Sequence, residues 1–428
     1  MAARVHIIGA GMAGLAAALR LRHVGRAVAV YEAAPRAGGR CRSYHDPQLD
    51  CIIDNGNHLL MSGNSAAMAY LDEVGARDRV AGPREAAFPF VDAESNERWC
   101  VQPGEGPIPW WILDAKRRVP HTSPFDYLSA LRLLSADDTR TVAQCVGTVG
   151  PLYRNFWEPL TVGAINTAPE QAAAVLMLPV LMETFLKGAA ACRPLVARAN
   201  LADALINPAL EKLSKAGVDV RFGAKLRGLT FDRGVTALEM DGATIAVAAD
   251  DIVILAVPPW IAETLVPGLV VPPPGEPIVN VHYRLAQPVT AEGEVKIVGV
   301  IGGLAQWVFA RKHQGIDIAS VTISAAAGVV EHSAEEISRK CWRDVALALE
   351  LGDAAEPPSR VVKERRATFA QTPQTLALRP QAVTSWPNLL LAGDWTATGL
   401  PATIEGALRS GFKAASHAQQ LLPTRKAA

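Results

Sequence analysis

At 428 residues, half of them hydrophobic and a fifth charged, the chain is long enough for two or three packed domains and too apolar to be a disordered one. Lys plus Arg and Asp plus Glu number 42 each, so no net field favours a nucleic-acid partner, and none is expected. The six cysteines (Cys41, Cys51, Cys100, Cys145, Cys192 and Cys341) form no C-x-x-C pair, which argues against a zinc site or a disulfide framework and fits a reducing cytoplasm; no metal is expected.

In chain order, Val5-His6-Ile7-Ile8 reads as a buried strand starting too close to Met1 to leave room for a signal peptide. It runs into Gly9-Ala10-Gly11-Met12-Ala13-Gly14, a G-x-G-x-x-G turn. Helical spacing of Leu15, Ala16, Ala18, Leu19 and Leu21 follows, up to Gly25. A second strand, residues 27–31, ends in Glu32. This strand–turn–helix–strand–acid order is the context of a dinucleotide site. Gly9 allows the tight turn, Gly11 lets backbone approach a pyrophosphate, and Gly14 lets the helix pack on the strand. The free N–H groups at the helix start favour phosphate. Glu32 accepts from a ribose hydroxyl, and its charge repels a 2′-phosphate. Gly38-Gly39-Arg40 then supplies a second close backbone approach with a guanidinium, more than a plain NAD site needs.

Together with Asp54-Asn55-Gly56-Asn57-His58, these motifs resemble the amine oxidase and carotenoid desaturase superfamily of flavoenzymes. The resemblance implies FAD, with Gly9, Gly11, Met12, Ala13, Gly14, Glu32 and Ala33 around its adenosine and phosphates. Gly39 and Arg40 would lie on the pyrophosphate, and Gly56, Asn57, His58 and Leu59 near the isoalloxazine ring.

Residues 65–198 are expected to be mainly helical. Ala67, Met68, Leu71 and Val74 give one apolar stripe and Tyr127, Leu128, Ala130, Leu131 and Leu134 another. The apolar run 172–192 is broken by Pro179, Glu183 and Lys187; it is expected not to cross a membrane, although an amphipathic face around 176–185 suits lying on one. Residues 218–226 alternate like one strand before a hairpin through Asp232-Arg233-Gly234, and 251–257 is an apolar strand stopped by Pro258 and Pro259. Strands at 278–283, 297–301, 307–309 and 318–323 precede a helix near Ser333, whose spacing to Glu336 matches a capping box. Finally, 389–392 is an apolar strand leading to Gly393-Asp394-Trp395 and, past Pro401 and Thr403, to a helix. The superfamily resemblance places a backbone amide at Leu226 against adenine, Gly393 and Asp394 at the ribityl–pyrophosphate part, and Thr403 and Ile404 at the pyrimidine end.

The expected fold class is α/β: a discontinuous Rossmann-type FAD-binding domain (1–64, 199–270 and 381–428), a mainly helical, membrane-facing lid (65–198) and an α+β substrate domain (271–380). Two aromatic and apolar stretches, 155–167 and 302–309, suit a hydrocarbon substrate; Trp157, Asn166, Trp307, Phe309 and Trp395 are the candidate substrate residues. His58 and Glu158 are the candidate catalytic acids.

The inner segments Trp157-Glu158-Pro159-Leu160, Asn166-Thr167, Gln306-Trp307-Val308-Phe309 and Gly393-Asp394-Trp395-Thr396 resemble the hydroxysqualene dehydroxylases, squalene-associated flavoenzymes of bacterial hopanoid synthesis. That resemblance covers essentially the whole chain. It implies reductive loss of the allylic hydroxyl of hydroxysqualene, peripheral contact with the inner face of the membrane, and contact with the squalene-pathway synthases. The alternatives are a carotenoid-type desaturase, another flavin amine-oxidase-fold enzyme, or a non-catalytic flavin subunit of a squalene-synthesising complex.

Overall fold

The computed structural model describes residues 3–422; the outermost residues of the expected first and last segments, 1–2 and 423–428, lie outside the described residues. The N-terminal motif folds as its pattern requires. Strand Arg4–Ile8 runs parallel to Ala27–Glu32, and helix Met12–Leu21 between them buries every residue except Arg20. Three more strands complete a parallel five-stranded sheet ordered Asp219–Phe222, Ala27–Glu32, Arg4–Ile8, Ile252–Leu255, Leu389–Leu391. Numbered along the chain this is 3-2-1-4-5, a doubly wound order. Strands this apolar on both faces demand cover on both.

Cover on one face comes from helices Met12–Leu21 and Ile404–Leu421, packed over Val5, Ile7, Val30, Ile254 and Leu390. The other face carries Ile8, Tyr31, Val253, Leu255 and Leu391 against helix Pro259–Leu265 and an antiparallel sheet of Leu226–Phe231, Val235–Met240 and Ala243–Ala246. The expected single strand 218–226 is therefore two. Gly223 takes a φ of +66°, a turn that ends the parallel strand before Leu226 opens the antiparallel one.

A second, seven-stranded sheet is ordered Ser359–Glu364, Ile278–Arg284, Ile316–Ile323, Trp307–His313, Val295–Ile301, Phe88–Asp92, Arg98–Val101. Its neighbours are antiparallel except for the Val295–Ile301/Phe88–Asp92 pair. Alternation sorts the faces. Val279, Val281, Tyr283, Val308, Val321 and Val298 pack under helix Ala334–Leu349, which Ser333 caps by accepting from Glu336 N at 3.1 Å. The opposite face carries the register neighbours Asn280, Thr322 and Trp307 in one row and His282, Ser320 and Phe309 in the next.

The region 65–198 is less helical than expected, because strands Phe88–Asp92 and Arg98–Val101 extend the seven-stranded sheet. The first apolar stripe holds, with Ala67, Met68 and Leu71 of helix Ser65–Val74 buried. The second does not. Residues Pro124–Ser135 form a 3₁₀ helix, in which side chains three apart eclipse. Tyr127, Ala130 and Leu133 face inward, while Leu128, Leu131 and Leu134 are exposed. Helix Ala174–Glu183 also differs: Leu176, Met177 and Leu181 are buried, so the face expected to meet a membrane is core. Among the described residues no helix is long and apolar enough to cross a membrane.

Candidate flavin and substrate site

The glycine turn is held by contacts that tolerate no side chain. A Cβ at Gly14 would lie 1.9 Å from the Gly9 carbonyl oxygen, and one at Gly9 would lie 2.5 Å from that of Ala256. Gly11 differs, because open space stands where its Cβ would be; a Cβ at Gly39 would lie 3.5 Å from Gly11 Cα. Two stretches of bare backbone thus face one another at the start of helix Met12–Leu21, whose first residues Met12 and Ala13 are buried. Glu32 braces the turn: its carboxylate accepts from Ala10 N at 2.7 Å and Ala34 N at 2.8 Å. The segment leading to Leu226 is tied alongside, with Ala224 N donating to Glu32 O at 2.8 Å and Gly223 N to Ala34 O at 3.1 Å. Ala33 is exposed at this rim.

Arg40 joins this half to the C-terminal half. Its guanidinium donates to Asp394, which is buried, and to Ala367 O, both at 2.6 Å. The loop after Asp394 is organised by a residue that no motif marks. Buried Arg379 donates to the carbonyls of Asp394 (2.8 Å), Thr396 (2.5 Å) and Leu400 (2.9 Å) and to Thr398 Oγ1 (2.9 Å). Gln371, wholly buried, accepts from Ala402 N at 2.7 Å and donates to Ile165 O, tying this loop to helix Glu158–Ile165. Gly393 N donates to Ser410 Oγ at 2.8 Å, and Thr403 caps helix Ile404–Leu421 by accepting from Gly406 N at 3.1 Å. A backbone-lined groove at a helix N-terminus, a carboxylate at the end of the second strand and a guanidinium beside the groove fit the ribose and pyrophosphate of FAD.

Residues Gly56 to Leu59 connect this cradle to the seven-stranded sheet. Asn57 N and its side-chain amide donate to Asn280 Oδ1 (3.2 and 3.3 Å), and the amide also reaches Val321 O and Thr322 Oγ1. His58 has Arg40, Asp54 and Asp394 as its charged neighbours; burial first, and Arg40 next, push its pKa below the usual histidine value. With Asn57, Asp54, Arg311, Leu201 and Phe309 it lines a small cavity. The Arg311–Asp54 pair there is buried and 3.1 Å apart. Nearby His282, bonded to Ser320 Oγ at 2.9 Å, is pulled down to about 4 by burial and by Arg311.

Residues 12–418 match the family model described as flavin containing amine oxidoreductase. The chain is 46% identical to a hydroxysqualene dehydroxylase of Rhodopseudomonas palustris, over 97% of this chain and 98% of that one. A hydroxysqualene dehydroxylase of Zymomonas mobilis is 43% identical, over 96% and 97% of the two chains. The chain belongs to the hydroxysqualene dehydroxylase family. A putrescine oxidase bound to putrescine has the same fold, with a TM-score of 0.70 at 19% identity over 97% of this chain and 98% of the other. This hydroxysqualene dehydroxylase homologue is an FAD-dependent oxidoreductase of the amine-oxidase superfamily.

Of the residues expected at the substrate, Trp307 and Phe309 stand on the sheet face next to Asn57 and His58. Trp307 packs on Phe90 at 5.5 Å, and its Nε1 would lie 3.2 Å from a Cβ at Gly163, so the stretches 155–167 and 302–309 do converge. Three others are structural. Trp395 is fully buried behind the parallel sheet and donates its indole N–H to Val257 O at 3.0 Å. The Asn166 side chain, at a left-handed helix end, donates to Glu276 O (2.7 Å) and Thr368 Oγ1 (3.0 Å) and accepts from Ala325 N (2.7 Å), leaving little capacity for a ligand. Trp157 is core, edge-on to Phe156 at 5.1 Å. Glu158 is exposed, and its charged neighbours are Glu170 and Arg154 rather than anything near His58; burial and Glu170 raise its pKa, but no contact brings it to the cradle. Arg379, Gln371 and Asn280 went unread because each is a lone polar residue whose partners lie far along the chain.

Proposed function

We propose that this enzyme removes the allylic hydroxyl of hydroxysqualene reductively, giving squalene and water. Gly11, Gly39 and Arg40 would hold the pyrophosphate of FAD, Glu32 its ribose, Asp394 the ribityl–pyrophosphate part, and the backbone at Thr403 and Ile404 the pyrimidine end; bound in its reduced form, the flavin would supply the hydride that the allylic carbon takes up. Segments 1–64, 199–270 and 381–422 would form the cofactor-binding part, and 271–380 the substrate-facing sheet.

The observation that carries this reading is the pairing of a flavin cradle with an aromatic wall: Trp307 and Phe309 share the sheet face that receives Asn57 and His58. Apolar walls bind a triterpenoid and keep water from an allylic cation. The departing oxygen needs one proton to leave as water. With its pKa lowered, His58 is neutral at pH 7 and offers a single N–H. It would orient the hydroxyl while the proton is drawn from solvent. We further place the reaction at the inner face of the membrane, where an insoluble substrate would pass from a synthase of the same pathway.

Anaerobic mixing of chemically reduced protein with hydroxysqualene tests the reaction. Flavin reoxidation with stoichiometric squalene is expected; stable reduced flavin without squalene would overturn it and favour desaturation of a linear isoprenoid. His58→Ala should slow the single-turnover step with flavin still bound, and an unchanged rate would remove His58 from the reaction.

A further inference from the structure

The 3₁₀ helix Pro124–Ser135 presents three eclipsed rows, because its repeat is three residues. The row Pro124, Tyr127, Ala130, Leu133 faces inward, onto the cluster that contains Trp111 and Phe156. A second row is polar: Asp126, Ser129, Arg132, Ser135. The third is apolar and turned to solvent: Phe125, Leu128, Leu131 and Leu134 are 79%, 55%, 58% and 58% exposed. Soluble proteins scatter exposed apolar side chains singly; a line of four is a contact surface.

The line does not stand alone. Helix Trp110–Leu113 packs beside it through Trp111 edge-on to Tyr127 at 5.7 Å, and adds exposed Trp110 and Leu113. The loop before it carries exposed Ile108, and Ala189 N donates to Gly104 O at 2.8 Å, bringing exposed Leu186 to the same edge. Around this surface Lys116, Arg132 and Lys187 are exposed and form no side-chain hydrogen bond or ion pair among the described residues. The two acids within residues 108–134 are exposed but engaged by local backbone, Asp126 accepting from Ser123 N at 2.7 Å and Asp114 from Lys116 N at 2.9 Å, and exposed Glu105 lies at the margin.

We propose that this face, built on residues 108–134, docks the enzyme on a bilayer containing anionic lipid. Phe125 and the three leucines would enter the acyl boundary, Trp110 would sit at the headgroups, and the three unpaired cations would meet lipid phosphates. Choosing a bilayer over a protein partner rests on the proposed hydrocarbon substrate. The geometry of the face does not.

Flotation of the flavin-loaded protein with vesicles of phosphatidylglycerol and phosphatidylcholine tests the proposal. Wild type is expected to float. Leu128→Glu with Leu131→Glu, both on the surface, is expected to lower the bound fraction by about tenfold or more while circular dichroism stays unchanged. Arg132→Glu should weaken binding to the mixed vesicles and leave binding to pure phosphatidylcholine unaltered. Flotation unaffected by the leucine replacements overturns the proposal. So does a concentration-dependent dimer, seen by sedimentation, that those replacements abolish, since a second copy would then be the occupant. Substrate turnover is read separately on detergent-dispersed hydroxysqualene: intact flotation with no turnover overturns the assigned reaction and supports docking.

Discussion

The two halves of the cofactor cradle are built by opposite means. In the N-terminal half, the turn, the helix start, Glu32 and Gly39 fall within about thirty residues, and the turn is locked by backbone touching backbone, as at Gly14 against the Gly9 carbonyl, with Ala256 O closing on Gly9 from the neighbouring strand end. In the C-terminal half, the loop from Asp394 to Thr403 makes few such contacts of its own. It is held from outside by Arg379 and Gln371, the latter also bonded to helix Glu158–Ile165. The difference teaches that one half takes most of its shape from contacts within a short stretch of chain, while the other is shaped by side chains reaching in from elsewhere in the molecule.

The comparison is tested most severely at Gly14. Gly14→Val places a branched side chain against the Gly9 carbonyl, at a cost of about 3 kcal/mol or more; purified protein is expected to lack the flavin absorption bands, and a normal flavin content would sink the account of a locally locked turn. Arg379→Met comes next. It strands three buried carbonyls and should lower stability by about 3 kcal/mol in urea unfolding while weakening FAD binding in a fluorescence titration. If FAD affinity stays at the wild-type level, the C-terminal loop does not depend on its clamp and the contrast between the halves fails. The smallest effect is expected at Thr403→Ala. Loss of one helix cap should cost about 1 kcal/mol in the same unfolding assay and weaken FAD binding less than Arg379→Met does.

The same division explains what was legible in the sequence. The parallel sheet could be read because glycine spacing, apolar strands and the terminal acid are short-range signals, and the C-terminal strand and helix followed from Pro401, Thr403 and the apolar run before them. Trp395, Asn166 and Glu158 were misread because composition does not say on which side of a strand or helix end a residue emerges. Residues 124–135 were misread for a sharper reason. A repeat of 3.6 collects Tyr127, Leu128, Ala130, Leu131 and Leu134 on one buried side, whereas a repeat of 3.0 divides them between core and solvent. Arg379 could not have been found by pattern: its meaning lies in three carbonyls and a hydroxyl fifteen to twenty-one residues away.

Helix Ile404–Leu421 lies so close on helix Met12–Leu21 that a Cβ at Gly411 would stand 2.2 Å from the Ala13 carbonyl oxygen. That contact joins residues almost four hundred positions apart. During synthesis the first strand, turn and helix therefore leave the ribosome long before their covering layer exists, and one apolar side of the emerging unit must wait uncovered. Such long-range closure slows folding and leaves apolar surface open to aggregation until helix Ile404–Leu421 arrives.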